Sequence, residues 1–590
     1  MPLIVQKFGG TSVADSQKIL AAARKAVRAQ QEGSQVVMVV SAMGHNTDLL
    51  IDLAKQITDQ PPAREMDMLL STGEQVSVAL MAMAIHSLGH EAISLTGAQI
   101  GIKTDSTHTK ARIQSISTDR MRRALDEGKI VIAAGFQGID EDFNITTLGR
   151  GGSDTTAVAL AAVLEADACE IFTDVDGVYT TDPRLLPEAR HIPRVSYDEM
   201  LELASLGAGV MHNRSIEFAK KFDVPIHVRS SFSDMPGTVI TAEPEAADQA
   251  VGGAALAKNE ARVTILGVPD KPGTSLGIFS KIADKAVSVD MIVQNVGDDG
   301  IADVSFTVLS DDLRVTLKAA EEASRELGAE GVAHDDLVAK ISVVGLGMAR
   351  QTGVARRMFR ALAEANCNIL MITTSEIKIS VLVARSEAAA ALRSVHQAFG
   401  LDHPPDGKPG RQPPARRGKR DAVAVVARLQ KMEELTIDEI ELDDTQARLT
   451  ISSVADQPGI AAAVFEAVAD GGIFVDMIVQ SYGREGKAKL SFTVPQQQYR
   501  ACHDLLTGLV DRLHCGPISG SPKVAKLSVS GIGLRSHTQV AIRTFSCLAD
   551  AGINVDMIST SEVRVNVVVD GAHGKRALAC LQKVFADARQ

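Results

Sequence analysis

Ala261-Arg262-Val263-Thr264-Ile265 recurs 186 residues later as Ala447-Arg448-Leu449-Thr450-Ile451, and the interval holds without drift. It carries Pro272-Gly273 onto Pro458-Gly459, Asp290-Met291-Ile292-Val293-Gln294 onto Asp476-Met477-Ile478-Val479-Gln480, and Thr374-Ser375-Glu376 onto Thr560-Ser561-Glu562. A long segment is therefore duplicated. Inside each copy a weaker repeat returns Phe279, Val289, Met291 and Ile292 as Phe359, Ile369, Met371 and Ile372, so there are four units. Each reads as a strand (Val263 to Leu266), a loop with Gly and Pro, and a helix with apolar Ile278, Phe279, Ile282 and Ala283. Two strands (Val287 to Val293, Ala302 to Leu309) and a second helix follow. That order suits a small antiparallel sheet covered by helices on one face. The units are expected at 262–335, 340–400, 447–520 and 525–590. A proline-rich, locally basic stretch at 401–435, with Pro413-Pro414 and Arg416-Arg417, reads as a linker between the copies.

The chain has 590 residues, too many for one hydrophobic core, and its net charge of −12 argues against binding by neutralisation of nucleic-acid phosphates. No apolar run approaches the roughly 18 residues of a membrane span, so no membrane partner is expected. The opening Met1-Pro2-Leu3-Ile4-Val5 reads as a strand and not as a signal peptide, which makes the cytoplasm the expected location. Six cysteines, at 169, 367, 502, 515, 547 and 580, form no Cys-x-x-Cys pair and are expected as reduced thiols, with no metal site.

The N-terminal 245 residues alternate strands (Val36 to Ser41, Ile130 to Ala134, Glu170 to Thr173) with alanine-rich helices (Ser16 to Gln30, Ser77 to Leu88, Thr155 to Leu164). An α/β sandwich with a mostly parallel sheet follows. Two glycine loops, Lys7-Phe8-Gly9-Gly10-Thr11-Ser12 and Gly149-Arg150-Gly151-Gly152-Ser153-Asp154-Thr155, are both expected to end at a helix N-terminus. Such termini present free N–H groups and a positive dipole end to an anion, so the pair forms a candidate polyphosphate cradle. Neither loop has P-loop or dinucleotide-binding spacing. Lys7 could meet charge on a transferring phosphoryl group, and Arg150 could grip a carboxylate. Asp154 is either a helix cap or an orienting partner of Lys7. Glu74 is expected to open a helix, where capping is its plain role.

These stretches resemble the aspartate kinases of the amino acid kinase family across essentially the whole chain. The resemblance is carried by the Lys7 and Gly149 loops, Val40-Ser41-Ala42-Met43-Gly44, and Thr173-Asp174-Val175-Asp176-Gly177-Val178-Tyr179 followed by Asp182-Pro183-Arg184. It implies an amino acid kinase fold followed by two tandem pairs of βαββαβ ACT domains, which are amino-acid-binding modules. It further implies ATP-dependent phosphorylation of L-aspartate to 4-phospho-L-aspartate, with ATP and Mg²⁺ as the phosphoryl source. In family terms Lys7 and Asp154 are catalytic. ATP falls to Lys7, Phe8, Gly9, Gly10, Thr173, Asp174, Tyr179 and Arg184, and aspartate to Ser41, Thr47, Glu74, Arg150 and Ser153. Many relatives carry a lysine where Gly209 stands here.

For the tail, the resemblance implies lysine or threonine as effector, bound between paired ACT units. The matching contact positions are Asp270, Lys271, Gly273, Thr274, Ser275, Ser288, Asp290 and Asn368, with Asp456, Asp476 and Asn554 in the copy. Sheet edges seeking partners suggest a homodimer. Two other readings stay open at this point: a kinase of a related acid such as glutamate, and an inactive amino-acid sensor.

Overall fold

The computed structural model describes residues 1–208, 210–246, 249–295, 300–405, 435–484, 487–534 and 539–589. Gly209 and most of the expected linker lie outside the described residues.

The N-terminal part is built on an eight-stranded sheet. Its order is Arg194–Ser196, Thr238–Thr241, Ile226–Ser230, Ala168–Thr173, Leu3–Phe8, Gln35–Val40, Ile130–Ala134 and Ala92–Leu95. Every pairing is parallel except that of Ile226–Ser230 with Thr238–Thr241. Val36 through Val40 are all buried, the unbroken apolar run of a strand covered on both faces. Helix Ser16–Gln31 starts where the Asp15 side chain accepts from the Lys18 N–H, and it buries Ile19, Ala22, Ala23, Ala26 and Val27 along one stripe. Helix Gly152–Val163 is enclosed on all sides, and every residue in it except Asp154 is buried. It occupies the middle of the fold, packed on Leu3–Phe8 and on helix Asn213–Phe222.

Two local expectations are corrected. The first glycine loop does not feed the helix directly; a short 3-10 turn, Gly10–Val13, intervenes. The helix expected from Ser77 runs instead over Ala63–Ser87, so Glu74 sits in mid-helix and caps nothing. Helix formers such as Ala63, Glu65 and Met66 extend it upstream, and Gly73 is tolerated because a Cβ there would lie 2.8 Å from that of Ala42. Among the described residues it is the one helix long and apolar enough to cross a membrane by length and composition. Its buried face, though, carries Asp67, Ser71, Glu74 and Ser77.

The C-terminal half forms one twelve-stranded antiparallel sheet. Its order is Asp290–Asn295, Ile301–Leu309, Gly253–Pro269, Gly331–Val344, Lys378–Ala384 and Met371–Thr374, then Ile478–Arg484, Lys487–Pro495, Thr436–Ala455, Ile518–Ile532, Arg564–Asp570 and Met557–Thr560. The copies join at Ile372↔Gln480 and Thr373↔Val479. The units interleave, because Gly253–Ala257 pairs with Lys340–Val344 and the stretch from Thr436 to Asp443 pairs with that from Lys526 to Ile532. Second and third units share one core, where the Phe359 and Phe465 rings lie 5.3 Å apart; first and fourth share another, where Phe279 and Phe545 lie 5.8 Å apart. One expectation about the thiols fails: Cys547 and Cys580 are joined as a disulfide. Packing of helices Gln539–Asp550 and Gly574–Val584 brings their Cα atoms to 6.1 Å.

Candidate active site

Ligands of open α/β sheets sit beyond the carboxyl ends of the strands, and here four such ends converge. The Ser41 N–H donates to the Phe8 carbonyl at 3.1 Å, Gly44 N–H to Gly10 at 3.0 Å, and Gly9 N–H to Phe172 at 3.4 Å. Gly135 N–H donates to Val40 at 3.1 Å. The rings of Phe8 and Phe172 stack at 4.7 Å and floor the junction. At two positions of this cradle a side chain has no room: a Cβ on Gly10 would lie 2.8 Å from the Ala42 carbonyl, and one on Gly135 2.6 Å from Ser153 Oγ.

Lys7 Nζ meets Asp154 Oδ1 at 2.6 Å, with both side chains largely buried. Asp154 stands in the first turn of helix Gly152–Val163 and makes no capping bond, so the orienting role is the one its geometry fits. The cation thus sits where strand Leu3–Phe8 ends and the positive end of that helix begins. Gly149 and Gly151, at φ +78° and +68°, flank the exposed Arg150. A Cβ on Gly151 would strike the His212 ring, so the loop leans on the start of helix Asn213–Phe222.

Glu74 reaches the same place from the long helix. Its Oε1 accepts the Ala42 N–H at 3.1 Å, and its buried Oε2 has no hydrogen-bond partner. Burial, against the opposing pull of backbone N–H groups, pushes the carboxyl from 4.5 up to about 7. An unpartnered carboxylate oxygen so placed is an acceptor for an ammonium donor. Ser153 is buried beside Asp154, and Ser41 and Thr47 are partly exposed on the loop and helix after Gln35–Val40.

Lys7, Gly9, Gly10, Ser41, Glu74, Ser153 and Asp154 are therefore brought together. Thr173 ends the neighbouring strand and Asp174 follows it, the Thr173 hydroxyl donating to the Asp174 carboxylate. Tyr179 and Arg184 lie farther along, Tyr179 edge-on to His191 and Arg184 gripping Asp182 with two nitrogens. Sequence reasoning missed Gly135, His212 and Asp67. Gly135 precedes Phe136, a non-glycine residue at φ +71°, but the glycine carries no motif of its own.

The effector positions separate into two kinds of place. Asp270 Oδ1 accepts from Asn554 Nδ2 at 2.7 Å, and Asp456 Oδ1 from Asn368 Nδ2 at 2.6 Å, so each loop is met by the opposite copy. Lys271 belongs to the Asp270 loop. Gly273, at φ +92°, starts a helix on which Thr274 bonds to the Pro269 carbonyl and Ser275 to Gln294. Ser288 and Asp290 instead line a cavity of about 80 Å³ with Thr560 and Ser561, and Asp290 pairs with Lys340 at 2.7 Å. The equivalent Asp476 pairs with Lys526 at 2.5 Å in a cavity of about 290 Å³ beside Gly353, Arg356 and Glu376.

The regulatory half touches the catalytic half through buried charge. Lys378 Nζ meets Glu202 Oε2 at 2.9 Å, the Glu562 N–H donates to Glu202 Oε1 at 2.9 Å, and Asn213 donates to Glu562 Oε2 at 2.8 Å. Asn213 follows His212, the residue packed on Gly151.

Residues 2–230 match the model of the amino acid kinase family, and residues 262–328, 341–399, 451–506 and 527–585 match ACT domains. The aspartate kinase of Pseudomonas putida is 51% identical over 406 residues, covering 68% of this chain and 99% of the relative. The crystal structure of aspartate kinase from Synechocystis is 40% identical with a TM-score of 0.52, covering 99% of this chain and 98% of that one. That of E. coli aspartokinase III in complex with aspartate and ADP has a TM-score of 0.57 at 25% identity, covering 67% and 99%. The same enzyme with lysine and aspartate has a TM-score of 0.54, again at 25% identity, over 67% of this chain and 99% of that one. With a catalytic fold, four regulatory modules and near-complete coverage of such relatives, the chain belongs to the aspartokinase family.

Proposed function

We propose that this enzyme transfers the γ-phosphoryl group of ATP to the side-chain carboxylate of L-aspartate, giving 4-phospho-L-aspartate and ADP at the entry to lysine, threonine and methionine biosynthesis. A carboxylate oxygen forms the new O–P bond as the bond from γ-phosphorus to the bridging oxygen breaks. That carboxylate is already ionised near neutrality, so alignment and charge stabilisation supply the catalysis. The observation that carries the reading is the Lys7–Asp154 pair beneath the glycine cradle. Lys7 neutralises charge on the moving group, Asp154 holds the ammonium in place, and Phe8, Gly9 and Gly10 line the nucleotide side with Thr173, Asp174, Tyr179 and Arg184. Glu74 takes the substrate ammonium on its second oxygen, Arg150 takes the α-carboxylate, and Ser41, Thr47 and Ser153 complete the contacts. Mg²⁺ is read as entering as part of the nucleotide complex.

Lysine or threonine, or both, are read as inhibitors acting at the four modules. The E. coli relative is described with lysine bound, in its T-state. An effector ammonium arriving at Asp270 or Asp456 displaces the amide of Asn554 or Asn368, which changes how paired modules face each other. The Lys378–Glu202–Glu562–Asn213 contacts give that change a route to Gly151. The division at 1–245 for catalysis and 262–335, 340–400, 447–520 and 525–590 for regulation stays part of the reading, the second and fourth modules each taking one added strand. So do a cytoplasmic location and a homodimer, for which sedimentation should give twice 62.5 kDa.

An ADP-release assay with aspartate, with glutamate as control, tests the function. Turnover with aspartate and an acyl phosphate trapped by hydroxylamine support it; no turnover, or preference for glutamate, overturns it.

A further inference from the structure

Asp67 is completely buried, yet none of the roles above uses it. Three donors from two chain segments converge on its carboxylate. The Thr109 N–H lies 3.1 Å from both oxygens, Thr147 Oγ1 donates to Oδ1 at 2.5 Å, and His108 Nδ1 stands 2.7 Å from Oδ2. A carboxylate taken out of water needs such partners, but two features give these a direction.

The first is spacing. Asp67 lies seven residues, two helical turns, before Glu74, and Asp67, Ser71 and Glu74 share the buried face of helix Ala63–Ser87. The Ser71 carbonyl accepts from Gln137 Nε2 at 3.1 Å, so this face is tied to strand Gln137–Ile139 between the two carboxylates. The second is what the donors belong to. Thr147 ends the strand that leads through Leu148 and Gly149 to Arg150. Thr109 is held at φ +68°, a left-handed conformation that disfavours a residue with a side chain. Its carbonyl lies against Gly149, where a Cβ would come within 3.1 Å. On the far side, Arg214 donates to the carbonyls of Leu148 at 2.7 Å and Ala111 at 2.8 Å.

We propose that Asp67 is a positioning residue for the amino-acid substrate: it fixes the helix bearing Glu74 against the loop bearing Arg150. It thereby sets the separation between the group that takes the ammonium and the group that takes the α-carboxylate. The nucleotide-side loops after Leu3–Phe8 and Ala168–Thr173 lie outside this knot, and among the phosphate-cradling loops the Gly149 loop adjoins it. Loosening it therefore acts more on aspartate than on ATP. It also blurs discrimination between aspartate and its homologue one carbon longer, because that discrimination depends on where the fixed ends of the substrate sit. This inference rests on the assignment of Glu74 and Arg150 given above.

Steady-state kinetics of Asp67→Asn, Thr147→Val and His108→Ala test it. Asp67→Asn should raise KM for aspartate about tenfold or more, with kcat and KM for ATP within about threefold, and should narrow the preference for aspartate over glutamate. Thr147→Val and His108→Ala should move the same quantities the same way by less; they keep the carboxylate and decide the matter if Asp67→Asn does not fold. Equal rises in both KM values, or a fall in kcat with KM for aspartate unchanged, would overturn the proposal. Arg150→Ala separates the two claims. An unchanged KM for aspartate there refutes the assignment of the substrate groups, whereas a raised one beside unmoved knot variants refutes only the role of Asp67.

Discussion

Replacing Glu74 with Gln removes a charge and little else, and its effects on stability and on binding run in opposite directions. The amide oxygen can still accept the Ala42 N–H. In the wild type, burial raises this carboxyl from 4.5 to about 7. Between those values the folded chain keeps a proton that the unfolded chain has released. Stability therefore falls as pH rises through the window and levels off above about 7. From pH 5.5 to 8, at about 1.4 kcal/mol per tenfold change, the wild type should lose about 2 kcal/mol that the Glu74→Gln protein does not lose. Binding moves the other way. The substrate ammonium meets an ionised, desolvated carboxylate in the wild type, an interaction worth about 2–4 kcal/mol. Glu74→Gln should thus raise KM for aspartate roughly 30- to 1,000-fold at pH 8. The wild-type KM for aspartate should fall as pH rises from 6 to 8, and that of the variant should stay flat. Urea unfolding at the two pH values and initial rates across the range give both quantities. A wild-type KM indifferent to pH over this range, or equal KM values for the two proteins, would refute the reasoning.

Lys7→Ala should lower kcat by about three orders of magnitude or more while KM for aspartate changes little, because the lost contact is made mainly with the transition state; initial rates at saturating substrates check this. Asp270→Ala and Asp456→Ala should each shift lysine or threonine inhibition curves to higher effector concentration without lowering uninhibited turnover. Unmoved curves in both would remove the loops from the effector site. Lys378→Met leaves Glu202 buried without its cation and should cost about 3–5 kcal/mol in urea unfolding, most of it recovered by adding Glu202→Gln. Destabilisation that the second change does not relieve would show that packing at Lys378, and not charge, holds the two halves together.

Much of the catalytic fold was legible because its signals are local. Strand and helix periods, the glycine pairs and Asp154 three residues after Gly151 all announce themselves within a few positions. Glu74 was misplaced in its helix because Ser71-Thr72-Gly73-Glu74 imitates a capping box, while the packing that lets Gly73 continue the helix comes from Ala42, more than thirty positions away. Asp67 had no signal at all: its partners His108, Thr109 and Thr147 lie 41, 42 and 80 residues along the chain. The duplication was plain, yet not the crossing of the copies. Identical interval spacing cannot say that Asp270 meets Asn554 and Asp456 meets Asn368, since this depends on which sheet edges join. The same limit applies to the strand segments that precede the first and third units and pair into the second and fourth. The Cys547–Cys580 bond was missed because it joins neighbouring helices 33 residues apart with no spacing motif.

The most direct test is a crystal structure with Mg²⁺, a non-hydrolysable ATP analogue and L-aspartate. The γ-phosphate should lie within hydrogen-bond distance of Lys7 Nζ between Gly9-Gly10 and the start of helix Gly152–Val163, with the aspartate ammonium on Glu74 Oε2. A nucleotide bound away from both glycine loops would contradict the account.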